Sequence, residues 1–277
     1  MILFDKSKMM DLYTCRVELE YEKEVIFHCF WNGQLNEKHL YSIKSCYYFN
    51  VLNNKHKIVL WLENNKPNEF NEEISKYCEM KDFSFENQKQ MTNFIPNTFF
   101  YNTKLSFYSD VVRYLLLYNY GGCWFDLDCF FLRSFDPLFC QFGKEVCVYA
   151  WLYQPYPNGA IYISLEPKSN AMKKNINVII NKKRGWGFQE AGLSYDSPLN
   201  LLVLPCTWFD AGWAKNSSTS MHISNFFTPT QENITIDSFF PGSFCYHWHN
   251  KWNDEIQKNS PMMQLCIDLD KKLSDQE

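Results

Sequence analysis

At 277 residues the chain is long enough to bury a substantial core, and 46% hydrophobic and 18% aromatic residues against only 10 Gly exclude disordered, collagen-like and low-complexity classes. A net charge of −4 and a pI near 5.9 argue against a nucleic-acid partner, which needs a basic stripe to neutralise phosphates. Eleven cysteines form no C-x-x-C pair, so reduced, buried thiols in a cytoplasmic compartment are expected rather than a thiolate zinc site or a disulfide framework.

The opening "MILFDKSKMM" lacks a basic region followed by a long apolar one, and no run of about 18 apolar residues occurs anywhere. Neither a secretory leader nor an integral membrane segment is expected. The sequons at Asn216 and Asn233 are then chance matches in an Asn-rich chain. The bias to Asn, Lys, Phe and Tyr points to an AT-rich bacterial or viral genome.

"EVIFHCFWNG" is apolar, aromatic and β-branched and ends in Asn-Gly, which predicts a buried first strand. Leu35, Leu40, Ile43, Tyr47 and Tyr48 recur at helical spacing, and "HKIVLWLENNKPNEF" predicts a second strand. A β-α-β opening implies a parallel sheet. Residues 71–105 mix helix and loop signals, with Pro96 as punctuation. From Ser106 to Tyr120 a strong helix is predicted, with Ser106 or Ser109 as cap and Gly121-Gly122 as stop. "CWF" and "CFFLRSF" read as strand on either side of Asp126-Leu127-Asp128. "KEVCVYAWLY", "NGAIYISL" and "LNLLVLPCTWF" predict further strands, "NAMKKNINVIINKK" an amphipathic helix, and the stretch after Pro261 a terminal helix. No internal repeat or flexible linker divides the chain, so residues 1–277 are expected to form one α/β domain.

The Asp126/Asp128 pair carries the chemistry. Read as strand, the two aspartates point to one face about 6.5–7 Å apart. Trp124, Phe125, Phe130 and Phe131 surround them, and a buried carboxylate needs a compensating charge. Oxygen ligands suit Mg²⁺ or Mn²⁺, the ions that hold diphosphates, which points to a nucleotide-diphosphate substrate. Asp110 and Arg113, at i and i+3 of the preceding helix, share a face that the Gly-Gly turn can bring beside the pair.

"SDVVRYLLLYNYGGCWFDLD" resembles the S-D-x-x-R-(x)n-G-G-x-[YW]-x-D-x-D signature of glycosyltransferase family 32. That family includes α-mannosyl- and α-1,4-galactosyltransferases and is related to the catalytic domains of clostridial glucosylating toxins. "VIFHCFWNGQ" is similar to its first-strand H-x-x-W-x-G, and "HWHNKW" to its C-terminal H-W-x-x-S-W. The resemblance implies an α/β, GT-A type Rossmann-like fold with a mostly parallel central sheet. It further implies a metal-dependent retaining hexosyltransferase using Mn²⁺ or Mg²⁺, a UDP- or GDP-linked sugar donor and a carbohydrate or other hydroxyl acceptor. Residues 20–135 would form the nucleotide-sugar half, 136–260 the acceptor-side half, and 261–277 a terminal helix and tail.

By the same resemblance, Trp31 stacks on the base, Asp110 and Arg113 bind sugar hydroxyls, and Trp124 lies beside the donor. Asp126 contacts ribose, sugar or metal, Asp128 ligates the metal, and Trp252 closes over the diphosphate. His247 matches the family histidine, as metal ligand or phosphate contact, with His249 as a second candidate. Lys251 stands where the family has Ser and could neutralise phosphate in its place. Asn158 lies near the donor sugar, and Glu190 or Asp196 is the acceptor-side acid. Competing readings are a non-catalytic binding module on the same fold and a D-x-D phosphatase; the intact Asp110, Arg113, Asp126 and Asp128 argue against the first, and the lack of a later acidic metal motif against the second.

Overall fold

The computed structural model describes residues 19–95, 105–150, 156–182, 199–213 and 225–276. Strand β1 (Ile26–Asn32), helix α1 (Glu37–Asn50) and strand β2 (Lys57–Glu63) form the expected β-α-β unit, with β1 and β2 parallel in register from Ile26 opposite Lys57. Asn36 caps α1, accepting from the backbone of Lys38 and His39, and His39 Nδ1 returns the bond to Asn36 N at 2.9 Å. The second strand ends at Glu63, just past its apolar run, where the polar residues from Asn64 on take over as expected. Short helices α2 (Glu69–Ile74) and α3 (Phe85–Thr92), each begun by an Asn or Ser cap, enclose an edge strand β3 (Glu79–Asp82) that carries little apolar signal.

Helix α4 (Leu105–Tyr120) includes both Ser106 and Ser109, so neither of the expected residues is its cap. It ends where predicted, at Gly121-Gly122. Their φ angles are +68° and +110°, and a Cβ on either would stand 2.3 Å from a carbonyl oxygen, of Leu165 or Ile26 respectively. Only glycine satisfies both conditions. His28 secures this turn: its Nε2 bonds to Gly121 O at 3.0 Å while Trp61 Nε1 donates to its Nδ1 at 3.1 Å. Burial pulls the His28 pKa down to about 4, so the imidazole is neutral and structural.

The chain continues through β4 (Gly122–Phe125), β5 (Cys129–Phe131), α5 (Asp136–Phe142), β6 (Cys147–Ala150), β7 (Asn158–Ser164), α6 (Asn170–Lys182), β8 (Leu202–Pro205), β9 (Cys245–His247) and α7 (Pro261–Ser274). Among the described residues, seven strands form one sheet in the order β3-β2-β1-β4-β7-β6-β8. Of these seven, β7 runs against the other six. The link from β6 to β7 is too short for a crossover, so the two pair antiparallel. The sheet therefore draws strands from both halves of the chain.

The sheet is packed on both faces. Phe27 and Cys29 of β1 enter one core with Ile43 and Cys46 of α1, while Phe30 enters a second with Val111 and Leu115 of α4. A third cluster seats α7 against Phe226, Tyr246 and Trp248. None of the described helices is long and apolar enough to cross a membrane. Because β7 is reversed, the carboxyl ends of β1, β4, β6 and β8 and the amino end of β7 all open on one edge. That edge is where an open α/β sheet receives its ligand.

Candidate donor and metal site

Asp126 and Asp128 do not lie on a strand. β4 stops at Phe125, and Cys129 N bonds to Asp126 O at 3.1 Å, closing a tight turn before β5. The strand expectation failed because the two carboxylates are brought together by a turn rather than by a pleat. The turn is anchored at both ends: Asp126 N donates to Ala160 O of β7 at 2.8 Å, and Asp128 O accepts from Trp248 N at 2.9 Å.

Asp126 is held from the amino side. Its Oδ1 accepts from Arg113 Nη2 at 2.9 Å and from Trp124 Nε1 at 2.6 Å, and Arg113 Nη1 bonds Asp110 Oδ1 at 2.8 Å. The guanidinium lies 5.2 Å from the centre of the Trp124 ring. Burial opposes its charge, but Asp126 and Asp110 outweigh burial and raise the Arg113 pKa above its ordinary value. Gly159 makes room for this arrangement, since a Cβ there would stand 2.2 Å from Arg113 Nη1. Trp124 is itself buried and reaches the site through Asp126. Asn158 Oδ1 accepts from Ala160 N at 2.7 Å, so that side chain shapes the start of β7 beside Gly159.

Asp128 is held from the carboxyl side. The β5–β9 ladder sets Cys129 opposite His247, which brings the imidazole to the carboxylate. His247 Nε2 stands 3.1 Å from Asp128 Oδ2 without an aligned hydrogen bond, and it is buried. Asn250 N donates to the same oxygen at 2.6 Å. Two consecutive left-handed residues, His249 (φ 53°) and Asn250 (φ 57°), bend the chain so that this amide faces Asp128.

Burial is the largest influence on both Asp128 and His247, and it is outweighed in both. The imidazole and the Asn250 amide hold Asp128 below the usual carboxylate range, while Asp128 and Asp210 push His247 up to about 9. Ligand atoms of Asp126, Asp128 and His247 all lie within 4.8 Å of one another. Two carboxylates and an imidazole with an unbonded buried nitrogen are a donor set that Mn²⁺ or Mg²⁺ fits.

His249 is engaged elsewhere, its Nε2 2.8 and 2.9 Å from the two oxygens of Asp210, and its ring stacks on His247 at 3.9 Å. Burial, with His247 beside it, lowers the His249 pKa. Trp31 and Trp252 meet at 4.7 Å between ring centres, with His39 stacked on Trp252 at 4.5 Å. Buried Lys38 reaches the backbone carbonyls of Lys251, Trp252 and Asp254 and so ties their loop to α1. The Lys251 ammonium lies 3.7 Å from Asp254 on the surface rather than at the carboxylate pair. Glu190 and Asp196 lie outside the described residues.

Sequence reasoning did not single out Asp210, Tyr149, Asn250, Lys38 or His39. One signal was present: Asp210 follows Trp208-Phe209 after β8, an acid in an aromatic run just as Asp126 is.

Residues 36–142 match the family described as "Glycosyltransferase sugar-binding region containing DXD motif". No curated protein matches the chain. Among solved structures, the glycosyltransferase GlyE of Streptococcus pneumoniae TIGR4 superposes with a TM-score of 0.53 at 14% identity, over 92% of this chain and 64% of GlyE. The PaToxG glycosyltransferase gives 0.41 at 15% identity, over 64% of this chain and 66% of PaToxG. An active-site mutant of LgtC gives 0.47 at 10%, over 82% and 90%. The chain spans less than two thirds of GlyE and of PaToxG. The matched segment contains Asp110, Arg113, Asp126 and Asp128: residues 36–142 are similar to the DXD sugar-binding region of glycosyltransferases, and the chain shares its GT-A fold with GlyE.

Proposed function

We propose that the chain is a metal-dependent, retaining hexosyltransferase that moves a sugar from a nucleotide-diphosphate donor to a hydroxyl of a glycan or other acceptor. The observation that carries this reading is the convergence of Asp126, Asp128 and His247 beside the Asp110–Arg113 pair. Asp126, Asp128 and His247 would hold Mn²⁺ or Mg²⁺. Such an ion, when bound, stabilises the charge that develops on the leaving diphosphate.

The remaining roles belong to this chain's own side chains. Arg113 fixes the orientation of Asp110 and Asp126, whose outer oxygens can accept from sugar or ribose hydroxyls. The aromatic group formed by Trp31 and Trp252 offers a face to the nucleotide base. In a same-face displacement the departing phosphate oxygen takes the proton of the acceptor hydroxyl. Residues 20–135 are assigned to the donor and 136–260 to the acceptor. The ten cysteines among the described residues are all free thiols, which supports a reducing, cytoplasm-like compartment.

Incubation with a panel of UDP- and GDP-sugars and Mn²⁺ tests this function. Free nucleotide diphosphate should be released by the wild type, and Asp128→Asn should lower kcat/KM by about a thousandfold or more, as for loss of a metal-borne electrostatic contribution. Donor binding without turnover would favour a non-catalytic binding module, and neither binding nor turnover of any donor overturns the proposal.

A further inference from the structure

Behind His247, on the side away from Asp128, lies a buried polar relay that the donor chemistry above does not use. Tyr149, at the end of β6, places its hydroxyl 2.8 Å from His247 Nδ1 and 3.3 Å from Asp210 Oδ2. Tyr149 and Asp210 are fully buried. Asp210 is locked by His249 through both of its oxygens, and its backbone N–H bonds to Cys206 O at 2.7 Å.

The proton order in this relay follows from what each group can do. Tyr149 has a single proton, and it is spent on the hydrogen bond that its hydroxyl donates to Asp210 Oδ2. The Tyr149 oxygen is then an acceptor toward His247, which must carry its proton on Nδ1. That leaves the Nε2 lone pair facing Asp128 and Asp126, the tautomer a metal ligand requires.

We propose that Tyr149 and Asp210 are positioning residues that fix the Nδ1–H tautomer and ring orientation of His247, and thereby set the affinity of the site for its divalent cation. The inference rests on the assignment of His247 as a metal ligand. Tyr149→Phe keeps the ring and removes the hydroxyl, and with it the acceptor for Nδ1–H. In Asp210→Asn the amide can donate to the Tyr149 oxygen and turn its proton toward Nδ1, so both variants disfavour the same tautomer.

Mn²⁺ binding followed by electron paramagnetic resonance should show one site in the wild type, none in Asp128→Asn, and about 10- to 100-fold weaker binding in Tyr149→Phe, with about tenfold or more in Asp210→Asn. Nitrogen-15 spectra of the metal-free protein, titrated until the imidazole is neutral, should place the His247 proton on Nδ1 in the wild type and show mixed tautomers in Tyr149→Phe, a change that mere loosening of the core does not produce. Wild-type affinity and an unchanged tautomer in Tyr149→Phe overturn this inference alone. Absence of Mn²⁺ binding by the wild type overturns the metal reading beneath it. A second Mn²⁺ that is lost in Asp210→Asn also overturns the inference, since Asp210 would then be a ligand.

Discussion

Asp126 and Asp128 are two residues apart, yet they belong to different kinds of structure. Asp126, with 31% of its side chain exposed, is held by Arg113 and Trp124, thirteen and two residues away. Asp128, at 3%, is held by His247 and by the backbone of Asn250, 122 residues away. One carboxylate is oriented by its own helix-turn-strand unit and stays open toward a ligand. The other is oriented by long-range packing and closed off behind it. A short acidic motif can therefore divide its labour: one member is presented by local geometry, the other fixed by the tertiary fold.

The largest expected effect on this contrast is at its local side. Arg113→Ala leaves Asp110 and Asp126 facing each other without their shared cation and should cost about 3–5 kcal/mol of stability, as when one member of a buried ion pair is removed. Urea denaturation measures it, and a loss under about 1 kcal/mol breaks the claim that one guanidinium holds this half.

The long-range side should respond to pH. Asp128 and Asp210 overcome burial and raise the His247 pKa to about 9, so below that value a proton competes with the cation for Nε2. Mn²⁺ affinity should rise about tenfold per pH unit between pH 6 and 8 and level off near 9, read by titration at fixed ionic strength. A flat profile would detach His247 from the ion.

The smallest effect sharpens the boundary of the site. Lys251 is 39% exposed and its ion pair with Asp254 is a loose 3.7 Å, so Lys251→Ala should change stability by less than about 0.5 kcal/mol and donor KM by less than about threefold. A tenfold rise in KM would instead give this lysine the phosphate contact that the family serine suggests.

Much of the fold was legible because its signals are local. The β-α-β opening and the α4 helix stopped by two glycines follow from apolar spacing and turn residues, whereas the reversal of β7 came only with the structure. Edge strand β3, with charged Glu79, Lys81 and Asp82, carries no such pattern, because an exposed edge has no core face to mark it. The site was legible in the same measure. Asp110, Arg113, Asp126 and Asp128 were found as one unit, whereas Tyr149 and Asp210 were not, since a buried Tyr or Asp looks in sequence like any strand-end residue.

The sequence by itself determined that a helix, a glycine turn and an acidic pair would follow one another with fixed spacing, because dihedral preferences and periodicity act over a few residues. The tertiary structure alone decided how His247 reaches Asp128, that Asn250 points its amide there, and that Asp210 and Tyr149 stand behind the imidazole. Those contacts join residues dozens to over a hundred positions apart, and only sheet order, the β5–β9 ladder and close packing bring them within bonding distance.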